Sequence, residues 1–342
     1  MPMATDVIAS LDISFVSCCS LFRRGCRQRR VGGVVFYVLG VTSTSSCHRV
    51  AAWSNGVGKA LSMQAHPDKE MAKELHKMNS NLYKDDNHKP EMALAVTTFT
   101  ALCGFISLHE LKQVLEGVHE IVQVVGIASA KQVMDIHDRG GAPTDEVKSA
   151  LRSVFTQLMS ASKEMTTTVI SKLKSRLLVE SQAGEALCLA ANEPHAYLSG
   201  DCIECMATSD NVARAGLTPK HRDVQTLCSM LTYNQGYPEI LSGLPLSPYI
   251  TRYLPPFDEF EVDRCVLPTG SSAVFPAIPG PSVFLAFAGE GTLKTGSCGG
   301  IVTEGDVMFG PANTEITITA TATELQIYRA GINSSFFHGL SI

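Results

Sequence analysis

Tryptophan is almost missing from this chain. Its 342 residues contain one, Trp53, and aromatic residues make up only 7%. Charge is sparse too: Asp, Glu, Lys and Arg together reach 18%, with a formal net charge of −5. A mildly acidic chain gives no electrostatic reason to expect nucleic acid. Long apolar runs are lacking. The run 31–41 follows five arginines but is too short to cross a bilayer, so no membrane partner is expected. The eleven cysteines show no even framework in a chain that is not small, which argues against a disulfide scaffold. They read as reduced thiols of a cytoplasmic protein. The pair Cys202 and Cys205 has no second pair at zinc-ribbon spacing, so packing is its expected role. Heptads, low-complexity tracts and solenoid repeats are absent as well.

What is present is an ordinary globular composition, 45% hydrophobic, long enough for two or three lobes with sizeable cores. The charge is unevenly spread. Residues 1–60 hold seven Lys/Arg and two Asp/Glu, a net of +5, so the remainder carries −10.

The richest chemistry lies in Tyr83-Lys84-Asp85-Asp86-Asn87-His88-Lys89-Pro90-Glu91. A histidine, a lysine and a glutamate fall within four residues of one another. Upstream stands Gln64-Ala65-His66; downstream stand His195-Ala196-Tyr197, Ser209-Asp210-Asn211 and Arg214-Ala215-Gly216. Leu61, Met63 and Ala65 alternate with Ser62, Gln64 and His66, which predicts a strand with Gln64 and His66 on one face. Pro67 and Asp68 then open a short helix running toward His76. Together these segments offer N and O ligands for a zinc-like ion, groups for proton transfer and a cation for an anion.

Further along, 106–180 reads as helical. Leu108, Leu111, Val114, Leu115, Val118, Ile121, Val122 and Val125 recur at helical spacing. So do Val147, Leu151, Val154, Phe155 and Leu158, then Val169, Ile170, Leu173 and Leu177. From about 183 the period becomes two. Val283 to Phe287, Val307 to Phe309, Ile316 with Ile318, and Leu325 with Ile327 predict short antiparallel strands.

The segment 83–91 resembles the first signature of the type I phosphomannose isomerases, and His195 to Lys220 resembles the second, with Ala213 where the family pattern has a larger aliphatic residue. The resemblance runs over roughly 59–342. It implies a mainly β fold of cupin-like jelly-roll barrels with a small helical lobe. The implied organisation is an unmatched segment 1–58, a catalytic cupin core in two parts (59–105 and 183–232), a helical lobe at 106–182 and a C-terminal cupin-like β domain at 233–342. The implied activity is zinc-dependent interconversion of mannose 6-phosphate and fructose 6-phosphate by a monomer. The alternatives are a truncated, catalytically impaired isoform and a non-catalytic sugar-binding cupin.

The resemblance also implies the site. Gln64, His66, Glu91 and His195 are the metal ligands, for one zinc per chain. Arg214, Lys89, His88 and Asp210 are the catalytic candidates, with Glu204 more distant. Which of His88, Lys89 and Asp210 moves the proton stays open. Ser62, Lys69, Tyr197 and Lys220 are the candidates for binding the substrate. Two family features are missing: an N-terminal Asn-Tyr-x-Trp-Gly strand segment, and a helix and buried strand expected after Gln182. Their loss predicts an open sheet edge and uncovered core side chains.

Overall fold

Strand β8, His195–Ala207, is the spine of the N-terminal half. The computed structural model describes residues 34–38, 42–43, 46–47, 50–57, 61–137, 144–161, 179–181, 183–216, 218, 220–236, 238–296 and 298–338. Along its second half β8 pairs antiparallel with β2 (Val50–Val57) on one side and β4 (Glu91–Ala95) on the other. Along its first half it pairs with β3 (Met63–Ala65) and β5 (Phe99–Cys103), and β5 pairs in turn with β6 (Val179–Ser181). The change of partners occurs at Gly200, whose φ is +105°. A Cβ there would lie 2.4 Å from the Thr98 carbonyl oxygen, so only glycine allows the bend.

β4 is buried along its whole length between β8 and β7 (Ala186–Leu189). Met92 and Leu94 join one apolar cluster, while Ala93 and Ala95 join another on the opposite face. That alternation is the strand period at work. Cys202 and Cys205 divide between the same two clusters, so they share no face and cannot share an ion.

The edge next to β8 is not open, contrary to the sequence expectation. β1 (Val34–Val38) and β2 continue the sheet there, with Val50 to Val57 opposite Ala207 to Gly200. The β-branched valines of this stretch suit extended backbone.

The helical lobe is built from α2 (Leu108–Gly117), α3 (His119–Val125), α4 (Ile127–Asp135) and α5 (Asp145–Ser160). Ser107 and Glu110 form a reciprocal capping box at the start of α2. The periodic residues Leu108, Leu111, Val114, Leu115, Ile121, Val125, Val147, Leu151 and Val154 are its core. Tyr233 and helix α6 (Val224–Met230) pack into the same core. Val169, Ile170, Leu173 and Leu177 lie outside the described residues. The short helix expected after Pro67 is α1, Lys69–Met78, capped by Asp68.

The C-terminal half stacks a six-stranded sheet on a four-stranded one. Phe284 and Ala286, on strand Ser282–Ala288, point into the core between them. Val283 and Leu285 point the other way, onto Met92, Leu94, Ile203 and Cys205 of the N-terminal sheet. The two halves therefore share an apolar layer. The chain is mainly β with a helical insertion, as its pattern predicts; among the described residues the sheets stay open-ended rather than closing into barrels. No described helix is long and apolar enough to cross a membrane. Among the described residues Cys103, Cys188, Cys202, Cys205, Cys228 and Cys265 form no disulfide.

Candidate metal centre

Three neighbouring strands bring the site together. Gln64 on β3 lies opposite His195 of β8 on one side and opposite Arg214 of β9 (Ala213–Gly216) on the other. His66 follows Gln64 by two residues, and Glu91 opens β4 beneath them. His66 Nε2 is 3.3 Å from Glu91 Oε1, and His195 Nε2 is 3.4 Å from Glu91 Oε2. Gln64 Nε2 is 3.5 Å from each of these ring nitrogens. The ligand atoms of His66, Glu91 and His195 all fall within 4.8 Å of one another, and all three residues are buried.

The chemistry of this cluster fits a metal ion. Neither Glu91 oxygen accepts a hydrogen bond from a described residue, although Lys89 Nζ comes within 2.7 Å of Oε1. Lys89 serves only that oxygen; Oε2 faces the His195 ring nitrogen at 3.4 Å, and a buried oxygen so poorly satisfied is costly unless a further cation shares it. Burial holds the His66 ring below its ordinary value, in the neutral form that can donate a lone pair. Burial would raise the Glu91 carboxyl, but the positive charge of Lys89 helps hold it well below the ordinary range. Ser62 Oγ donates to Gln64 Oε1 at 3.0 Å. A half-turn of that amide exchanges its two ends, so Gln64 can offer oxygen to the cluster. Two imidazoles, a carboxylate and an amide oxygen form a donor set suited to zinc.

Around the cluster the other candidates divide. Half-buried Arg214 and exposed Asp210 line one cavity of about 210 Å³ with Lys84, His221 and Asp223. Burial lowers the Arg214 pKa, with Glu91 and Asp210 pulling it back up. Lys89 reaches Glu91. His88 turns instead to Glu259, whose Oε1 is 2.6 Å from its Nε2. Lys69 approaches the same oxygen at 3.5 Å. Tyr197 is buried, and its hydroxyl donates to Glu204 Oε1 at 3.0 Å, which turns it inward rather than toward open space. Lys220 is exposed.

Some supporting residues lay inside the quoted motifs without an assigned role. Asp85 receives Ser209 Oγ at 2.8 Å, the Asp210 backbone N–H at 3.0 Å and Asn211 Nδ2 at 3.2 Å, which ties the two motifs together. Glu259 carried no motif at all; only its contact in three dimensions reveals it.

With this geometry in view, the comparisons with known proteins are direct. The family model "Phosphomannose isomerase type I, catalytic domain" matches residues 56–108. Mannose-6-phosphate isomerase 2 of Arabidopsis thaliana is 53% identical over 320 residues, covering 83% of this chain and 72% of that protein. The chain belongs to the type I phosphomannose isomerase family. Mannose-6-phosphate isomerase of Bos taurus is 35% identical, over 80% of this chain and 75% of that protein. The fold agrees with the family's solved structures. A lysine-to-alanine variant of the Salmonella typhimurium phosphomannose isomerase superposes with a TM-score of 0.67 at 22% identity, over 83% of this chain and 79% of that one. A zinc-bound mannose 6-phosphate isomerase gives a TM-score of 0.64 at 21% identity, over 83% of this chain and 79% of that one. The Arabidopsis match extends over more positions than the matched share of this chain can supply. That relative therefore carries internal residues with no counterpart here.

Proposed function

We propose that this chain is a zinc-dependent aldose–ketose isomerase that interconverts mannose 6-phosphate and fructose 6-phosphate through an enediol. The observation that carries this reading is the convergence of Gln64, His66, Glu91 and His195, with Arg214 on the adjoining strand. Mannose 6-phosphate is the sugar phosphate in the names of its relatives, and fructose 6-phosphate is the ketose that isomerisation of it gives.

Isomerisation moves one proton between C1 and C2 and leaves the sugar's composition unchanged. It needs a base for that proton and a stabiliser for the oxygen that gains negative charge. Bound zinc, one per chain, supplies a Lewis acid for that oxygen. Lys89, 2.7 Å from Glu91, stands where it can hold or return a proton beside the ligand cluster. Arg214 offers a half-buried, forked cation for the enediolate or the phosphate end. His88 and Asp210 are the other proton-transfer groups. Ser62 steadies Gln64 through their hydrogen bond, and Lys69 and Lys220 are exposed cations for the phosphate. The sequence keeps every proposed ligand, Lys89 and Arg214, which speaks against a non-catalytic cupin.

The test is a coupled assay for fructose 6-phosphate formed from mannose 6-phosphate. The zinc-loaded chain is expected to turn over, and His66→Ala and His195→Ala to lose both zinc and turnover. Stoichiometric zinc in both variants would remove the ligand assignment.

A further inference from the structure

Glu259 is a C-terminal residue set against the N-terminal site. It sits in 254–260, the segment leading into the strand Glu261–Leu267, and it is buried. Two side-chain nitrogens meet at one of its oxygens. One is that of His88, three residues before Glu91; the other is that of Lys69, three residues after His66. Each candidate metal-binding motif thus sends one nitrogen donor to the same carboxylate.

The carboxylate is presented rigidly. Pro255 and Pro256 restrict the segment's backbone. Buried Asn333 donates through Nδ2 to the carbonyl of Phe257 at 2.8 Å and approaches that of Phe260 at 3.3 Å. Phe257 and Phe260 meet edge to face with ring centroids 4.9 Å apart. Phe260 is anchored in the apolar layer between the two halves.

The hydrogen bond fixes the imidazole. A carboxylate only accepts, so Nε2 of His88 is the donor. In the neutral ring Nδ1 then keeps the lone pair, and it is the nitrogen left to take up or return a substrate proton. The side chain is 13% exposed, so the ring is held without being sealed off. A histidine oriented by a carboxylate is a recurrent arrangement for proton transfer.

We propose that Glu259 is a positioning residue for catalysis. It fixes the ring and tautomer of His88, so that the C-terminal β domain completes an active site built in the N-terminal one. This rests on the isomerase reading above.

The experiment is a double-mutant cycle on the full, zinc-loaded chain: wild type, Glu259→Gln, His88→Gln and the double variant. Glu259→Gln keeps the shape and removes the charge. It is expected to lower kcat about 10- to 100-fold, less than the roughly 10²–10⁴ that a general acid or base contributes. Zinc content and KM should stay near the wild-type values. The double variant should be no slower than His88→Gln alone, because Glu259 acts through that ring. Losses that multiply, or a wild-type kcat in Glu259→Gln, would overturn the proposal. If Glu259→Gln is insoluble, Glu259→Asp takes its place in the cycle with the same expected pattern. ¹⁵N shifts of the His88 ring give a second readout that needs no turnover. They are expected to show an Nε2–H tautomer in the wild type and a mixture in the Glu259 variant; identical spectra would overturn the proposal. A folded, zinc-loaded wild type without isomerase activity would sink the isomerase reading instead, and the ¹⁵N comparison would still decide the role of Glu259.

Discussion

His66 donates its Nδ1 hydrogen to the backbone carbonyl of Asn211 across 2.6 Å. The carbonyl can only accept, so this bond leaves the His66 Nε2 lone pair facing Glu91. Asn211 is fully buried, and its side chain donates to the carbonyls of Asp85 and Asn87, both at 2.8 Å. The second motif thereby locks the loop of the first while orienting a ligand. Asn211→Ala keeps that carbonyl but frees the backbone that carries it, and is expected to weaken zinc binding about 10-fold, the low end of the cost of disturbing a group that orients a ligand. Competition against a chelator of known affinity measures this directly.

Arg214→Ala should separate metal binding from turnover. Arg214 lies opposite Gln64 in the sheet and lines the cavity shared with Asp210 and Lys84. Zinc content should stay stoichiometric while kcat/KM falls about 10²–10³-fold, by analogy with the loss of an oxyanion donor. Elemental analysis and steady-state rates on one preparation check both halves.

Two buried acids set opposite pH dependences. Burial and the nearby Glu91 push Glu204 from 4.5 up to about 7, against Lys89 and the Tyr197 hydroxyl. The folded chain binds that proton more tightly, so its contribution is full below about pH 4.5 and lost as the pH rises through 7. Burial resists ionisation of Glu259 too, but His88 and Lys69 hold it at about 2. Its contribution is full above about pH 4.5 and lost as the pH falls through 2. Glu204→Gln should flatten the decline in stability between pH 4.5 and 7, and Glu259→Gln should flatten the acid limb. Denaturant midpoints across pH measure both slopes.

Removing residues 1–58 should destabilise the catalytic half. β2 pairs with β8 from Val57 opposite Gly200 to Val50 opposite Ala207, on the strand that begins with His195. Without it, β8 presents an unpaired edge. A lower melting temperature and a gain in aggregation are expected, read by thermal unfolding with and without zinc.

The sequence was most legible where chemistry and period coincide. The alternation at Gln64 and His66 and the compact run at 83–91 pointed to the cluster, and helical spacing marked out the core of the lobe. Glu259 was opaque, because its role depends on how the C-terminal domain docks and one glutamate carries no spacing signal. Tyr197 misled, because its position next to His195 in sequence says nothing about its hydroxyl, which turns to Glu204. The first strands were hidden for a different reason: residues 34–38 and 50–55 carry none of the family motifs, yet β-branched residues can fill an exposed edge.

The most direct test of the central claim is zinc depletion and reconstitution of the purified chain, followed by mannose 6-phosphate isomerisation. Stripping with a chelator should abolish turnover, and about one equivalent of zinc per chain should restore it. Turnover that survives complete zinc removal, or a folded zinc-loaded chain that forms no fructose 6-phosphate, would contradict the account.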